Sequence, residues 1–151
     1  MTKQNPKTQK TLSLLSRAER AKLRNTAKQL LFSCCALSCS DDFQTAHSWA
    51  CAIREINSLG DSLGCISRAS HFLLTKHEFD EQCANLAMFL NFPSGETAQH
   101  SACHAVTTLP RLTQDVEELL PELLAERNFM RIHAKLIKEV HEAFERSVGK
   151  S

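Results

Sequence analysis

The sequence has no tyrosine, one tryptophan, four glycines and four prolines in 151 residues. Strands draw on aromatic and β-branched residues and tight turns on Gly and Pro, so a sheet-rich fold lacks its usual material. No apolar run approaches the roughly 18 to 20 residues that cross a bilayer, and no membrane partner is expected. Glycine is too sparse for a phosphate-cradling loop. Gly149-Lys150-Ser151 has neither the upstream glycine nor the strand such a loop needs. Nothing resembles a nucleophile elbow or an oxyanion loop, so the chain is not expected to be an enzyme.

Cysteine, by contrast, is abundant. Seven is an odd count, and the spacings do not form a secreted disulfide framework. Reduced thiols in a cytoplasmic protein are the expectation. An export signal ending at Leu37-Ser38-Cys39 is disfavoured, because its leader exceeds the usual length of roughly 15 to 30 residues. Within it, Leu23, Ala27, Leu30, Cys34 and Leu37 recur at helical spacing.

Hydrophobic residues make up 42% and charged residues 23%, the balance of a globular domain. The net charge of +1 is unevenly spread. Residues 1–30 hold eight Lys or Arg against Glu19 alone, whereas residues 31–110 hold three basic and eight acidic residues. A basic N-terminal region on a slightly acidic body suits an acidic partner, or is simply a solvated arm and helix face.

Residues 1–12 are polar, basic and aperiodic and read as a flexible arm. Residues 13–148 read as one all-α domain and 149–151 as a tail. Ser16-Arg17-Ala18-Glu19 has capping-box spacing and starts a helix that runs to about Cys39. Ser40-Asp41-Asp42 starts a second, burying Phe43, Ala46, Ala50 and Ile53. Residues 57–64 are the most loop-like interior stretch, with Gly60 as a helix stop and Asp61 or Ser62 as the next cap. Leu63, Ile66, Ala69 and Leu73 mark a third helix. A second capping box, Thr75-Lys76-His77-Glu78, starts a fourth along Phe79, Cys83, Leu86 and Leu90. Ser94 caps a fifth that ends at Pro110, Thr113 caps a short sixth, and Pro121 kinks or restarts the chain. The last helix carries a seam of Met130, His133, Ile137, Val140 and Phe144, broadened by Phe129, Ile132 and Leu136. That seam is too wide for a two-stranded coiled coil and is expected to pack onto the domain. The expected fold is thus a single domain of about six to seven helices in antiparallel hairpins, ending in a long C-terminal helix.

Shifting the chain by 36 residues places Leu30, Ser33, Cys34 and Leu37 on Ile66, Ala69, Ser70 and Leu73. It also places Phe43, Ala46, Ala50 and Ile53 on Phe79, Gln82, Leu86 and Phe89. A looser third copy uses Ala102, Ala105, Val106 and Leu109. This layout resembles the tetratricopeptide repeat, whose period is about 34 residues. The resemblance covers residues 30–125, with Cys34 and Ser70 where the repeat carries glycine. It implies a short array of stacked helix pairs that binds peptides or proteins rather than catalysing a reaction.

Three groups of residues are candidates for function. Cys35, Cys39, His47 and Cys51 form two i, i+4 pairs that a helical hairpin can bring together as a tetrahedral zinc site. If the chain turns at Asp41 the pairs are offset, and the same thiols serve as ordinary apolar-helix residues without a cofactor. Lys10, Arg17, Arg20, Lys22, Arg24 and Lys28 can contact nucleic-acid phosphates, although no aromatic residues are interleaved for base stacking. Trp49, Phe72, Phe89 and Phe92 are aromatic anchors for a protein partner in a helix-lined groove. His100, Cys103 and His104 share one helix turn without a carboxylate nearby in sequence, which suits a polar face better than a reactive site. The expected function is a non-enzymatic protein-interaction subunit, adaptor or chaperone-like. A nucleic-acid-associated subunit and a zinc-stabilised domain are the alternatives.

Overall fold

A computed structural model of the chain describes residues 14–58 and 65–149, with the side chains of residues 65, 66 and 130 left out. The arm at 1–12, the loop signals at 59–64 and the last two tail residues lie outside the described residues. Those described form four helices and no strand: α1 (Arg17–Ser38), α2 (Asp41–Ser58), α3 (Cys65–Asn91) and α4 (Glu96–Gly149). The all-α class stands, but the helices are fewer and longer than the six or seven expected.

The first cap forms as its spacing predicts. Glu19 N–H donates to Ser16 Oγ, and Ser16 N–H donates to the Glu19 carboxylate, each at 3.2 Å. The break after α1 is capped on both sides. Cys39 N–H donates to the Cys35 carbonyl at 3.0 Å, and Phe43 N–H donates to Ser40 Oγ at 3.1 Å. This break does not fold the chain back. Leu15 meets Gln99, Cys34 meets Thr113, and Trp49 lies beneath the Arg131 guanidinium. The chain therefore advances along α4 through α1 and then α2. The two helices touch each other little and lie end to end against the α3–α4 pair. A hairpin of α1 and α2, expected from the sequence, is replaced by a broken line.

The true hairpin is α3–α4, turned by Phe92–Gly95. Gly95 N–H donates to the Phe92 carbonyl at 3.1 Å, and Gln99 N–H to the Gly95 carbonyl at 2.9 Å. The cap thus falls one residue after the expected Ser94. Buried Gln99 ties the turn to the chain start: its amide nitrogen donates to the Pro93 carbonyl at 2.7 Å, and its oxygen accepts from Leu15 N–H at 2.9 Å.

Three expected boundaries are absent, and packing explains each. At Thr75 the capping box competes with Phe72 and Phe79, which lie two helical turns apart. Both rings lie against Phe43, with centroids 5.9 and 6.0 Å away, and an unbroken α3 keeps them on one face. Ile66–Leu73 and Phe79–Phe89, the two halves of the second 36-residue copy, therefore lie on one helix instead of forming a pair. In α4, both Pro110 and Pro121 are inside the helix. A mid-helix proline costs about 3 kcal/mol. The buried stripe Leu109, Leu112, Val116, Leu120 and Leu123 crosses both positions, and each such side chain contributes roughly 1.5 to 3 kcal/mol on burial. The prolines themselves face solvent, where a helix bends most easily.

The 54 residues of α4 span roughly 80 Å and the 27 of α3 roughly 40 Å at 1.5 Å per residue. Arg68, near the start of α3, already pairs with Glu122 and Glu126 of α4. Trp49 of α2 still reaches Arg131, but further on α4 outruns its partners, and residues 135–149 are exposed throughout. From Leu136 onward the C-terminal seam does not pack onto the domain as expected: its residues there are exposed.

Helical continuity at Pro110 is testable. Pro110→Ala should raise the unfolding free energy by about 1 to 3 kcal/mol in urea melts. A neutral or destabilising effect would indicate a real boundary there.

Candidate functional site

The zinc candidates separate. Cys35, Cys39 and Cys51 are exposed and His47 is half-buried. Since α2 starts at Asp41 and continues away from α1, the two i, i+4 pairs do not come level. Only His47 Nε2 and Cys51 Sγ approach, at 4.0 Å. Among the described residues no three or more His, Cys, Asp or Glu side chains are grouped to hold a metal. His47 lines an open groove of about 600 Å³ with Arg54, Leu73, Lys76 and Asp80, and its buried Nδ1 has no hydrogen-bond partner. Lys76 is neutralised there by Asp80 at 2.5 Å.

A thiol pair that the sequence did not reveal joins α1 to α3. Cys34 and Cys83 share a hydrogen bond, and Cys34 Sγ lies 3.9 Å from Thr113 Oγ1 of α4. The bond from Cys83, aided by Thr113 and opposed by burial, lowers the Cys34 thiol from 9.0 to about 7. That same bond, together with burial and the Cys34 charge, raises Cys83 above its ordinary value. Both residues sit on predicted apolar seams, but spacing within a helix carries no sign of a partner on another. Cys103, on the exposed face with His100 and His104, is also raised, chiefly by partial desolvation and then by the Glu19 carboxylate.

Two of the four aromatic anchors are unavailable. Phe72 and Phe89 are each 0% exposed and belong to the core, so meeting a partner would require unfolding. Trp49 is half-buried, with the Arg131 guanidinium 6.0 Å from its ring centre. Phe92, at the start of the α3–α4 turn, is 66% exposed.

The basic candidates divide by helix face. Arg17, Arg20, Arg24 and Lys28 follow one another at steps of three and four. They line an open groove of about 530 Å³ closed on its other side by Pro93 and Ser94. Lys22 is exposed but is not part of that lining. Lys10 lies outside the described residues.

The most extended feature is the overhanging half of α4. Phe129, Ile132, Leu136, Ile137, Val140 and Phe144 are 45% to 69% exposed and recur at helical spacing. Arg131, Lys135, Lys138 and Glu142 occupy the opposite side of the same turns. The six apolar side chains present on the order of 600 Å², the upper end of the largest patch on a typical monomer. The Phe129 and His133 rings stack at 6.2 Å, and His141 Nε2 lies 3.1 Å from the Glu145 carboxylate. The spacing of these residues was legible in the sequence. Their exposure was not.

The thiol pair makes stability depend on pH. Between pH 7 and 9 the unfolded chain retains a Cys34 proton that the fold has released, so stability rises with pH. Above 9 the fold retains the Cys83 proton that the unfolded chain loses, and stability falls. Thermal melts should show this rise and fall in the difference between the wild type and Cys34→Ala; a flat difference from pH 7 to 9 would rule out the shared proton. Compared with protein-family models, curated proteins and solved structures, the chain matches none.

Proposed function

We propose that the chain is a non-enzymatic, helical protein-interaction subunit, adaptor or chaperone-like, that holds an apolar helix of a partner against the overhanging half of α4. The observation carrying this reading is the exposed face from Phe129 to Phe144. Leaving six large apolar side chains in water is unfavourable by roughly 25 cal/mol per Å², and covering them drives association. A helix that presents anchors at three- and four-residue steps suits a second helix laid along it. The bundle fixes the root of this face, and the four-turn stem needs no rearrangement to receive a partner.

The reading predicts a stoichiometric complex in purified or co-purified material. Leu136→Glu/Val140→Glu should abolish that complex while leaving bundle stability within about 0.5 kcal/mol, since both side chains are exposed. A soluble monomer that retains no partner would sink it.

A second reading has its own observation, the cationic groove of Arg17, Arg20, Arg24 and Lys28. Four cations along one groove suit a phosphate backbone, with affinity driven by counterion release. Single-stranded nucleic acid should then bind with a log–log salt slope of about −3, and Arg17→Glu/Arg20→Glu/Arg24→Glu should weaken binding by roughly tenfold or more. Salt-insensitive binding, or none, removes this reading.

A further inference from the structure

We infer that the occupant of the cationic groove is an unpaired nucleic-acid strand that lays one of its bases on the ring of Phe32. The inference rests on the second reading above, the groove of Arg17, Arg20, Arg24 and Lys28, and adds a contact that tells a single strand from other polyanions.

Phe32 ends an apolar run in the sequence, Leu30-Leu31-Phe32, which α1 splits between two faces. Leu30 and Leu31 pack against the core. Phe32 is 78% exposed, more than any other large apolar side chain among the described residues. The reason is its register. Arg17, Arg20, Arg24, Lys28 and Phe32 follow at steps of three, four, four and four, which sets Phe32 on the cationic face. It stands one turn, about 6 Å along the axis, beyond Lys28. Buried Leu23, Ala27 and Cys34 form a separate stripe, so core packing does not account for this ring.

The groove suits an extended polyanion. Its lining carries no acid, and none of the four cations has a carboxylate partner among the described residues. The cations recur about once per helical turn, an interval close to that between phosphates of an unstacked strand. A duplex meets the same charges but keeps its bases paired and stacked inside, out of the ring's reach. An acidic peptide meets them too, but offers the ring no regular flat partner. A single strand supplies both: its phosphates track the basic groove, and every base has a π-face to set on an aromatic ring. One platform at the end of a charged track selects no particular base, so the ligand class is single-stranded DNA or RNA of any sequence.

The test is fluorescence anisotropy with the full chain, kept reduced because Cys35, one turn from Phe32, is exposed. The labelled probes are oligothymidylate, an abasic strand of the same length, a duplex of that length and oligoglutamate. Oligothymidylate should bind more tightly than the abasic strand, which has its charge but no bases, and more tightly than the other two. Phe32→Ala should weaken oligothymidylate binding about five- to a hundredfold, the loss of one stacked base, and Phe32→Trp should retain it. Neither abasic binding nor the salt slope should change in Phe32→Ala, since no cation is lost. Its melting temperature should match the wild type, because the side chain is exposed. Equal affinity for the thymidylate and abasic strands, or binding indifferent to Phe32→Ala, overturns the inference while the groove reading stands on its salt slope. Preference for duplex also overturns it alone. If oligoglutamate binds best, or no probe binds, the inference and the groove reading fall together.

Discussion

The buried stripe of Leu109, Leu112, Val116, Leu120 and Leu123 keeps α4 helical across two prolines, and the other three helices are arranged against the rod it creates. Local chemistry opposes this, since each proline removes an amide and crowds the preceding turn. Tertiary burial along a shared face outweighs that cost, and the prolines face water, where bending is tolerated. Had the chain broken at either proline, the last segment would have been free to fold back and cover its own apolar side. Continuity instead carries that side past the end of the bundle.

The other organising event is the capped break at Cys39–Ser40. A two-residue link usually reverses direction in a helical hairpin. Here both ends are satisfied by local donors and acceptors, and α2 continues in the direction of α1. This keeps Cys35 and Cys39 away from His47 and Cys51. It also lays Phe43 between Phe72 and Phe79, where one ring secures both halves of α3.

Much of the fold was legible in the sequence. The Ser16 cap, the start at Asp41, and the burial of Phe43, Ala46, Ala50 and Ile53 follow from capping and spacing alone. The merged helices were not legible. Thr75, Pro110 and Pro121 are true local stop signals, overruled by contacts between residues distant in the chain. The candidate site divides in the same way. Spacing found the apolar side of the last helix and the basic side of the first. It also assigned Phe72 and Phe89 to a partner surface, because an aromatic on an amphipathic face looks the same whether the face meets the core or solvent. The Cys34–Cys83 pair is a cross-helix fact with no trace in either helix's own pattern.

Gln99 gives the cationic groove an unusual independence. Its two walls, the start of α1 and the Pro93–Ser94 turn, are joined by one buried, uncharged amide rather than by the arginines that line the opening. Mutual repulsion among those cations is therefore restrained by a hydrogen-bonded clasp that neither salt nor pH titrates. The cleft's shape is decoupled from its charge: an anion entering it meets a preset width, and neutralising the lining changes the attraction without remodelling the mould.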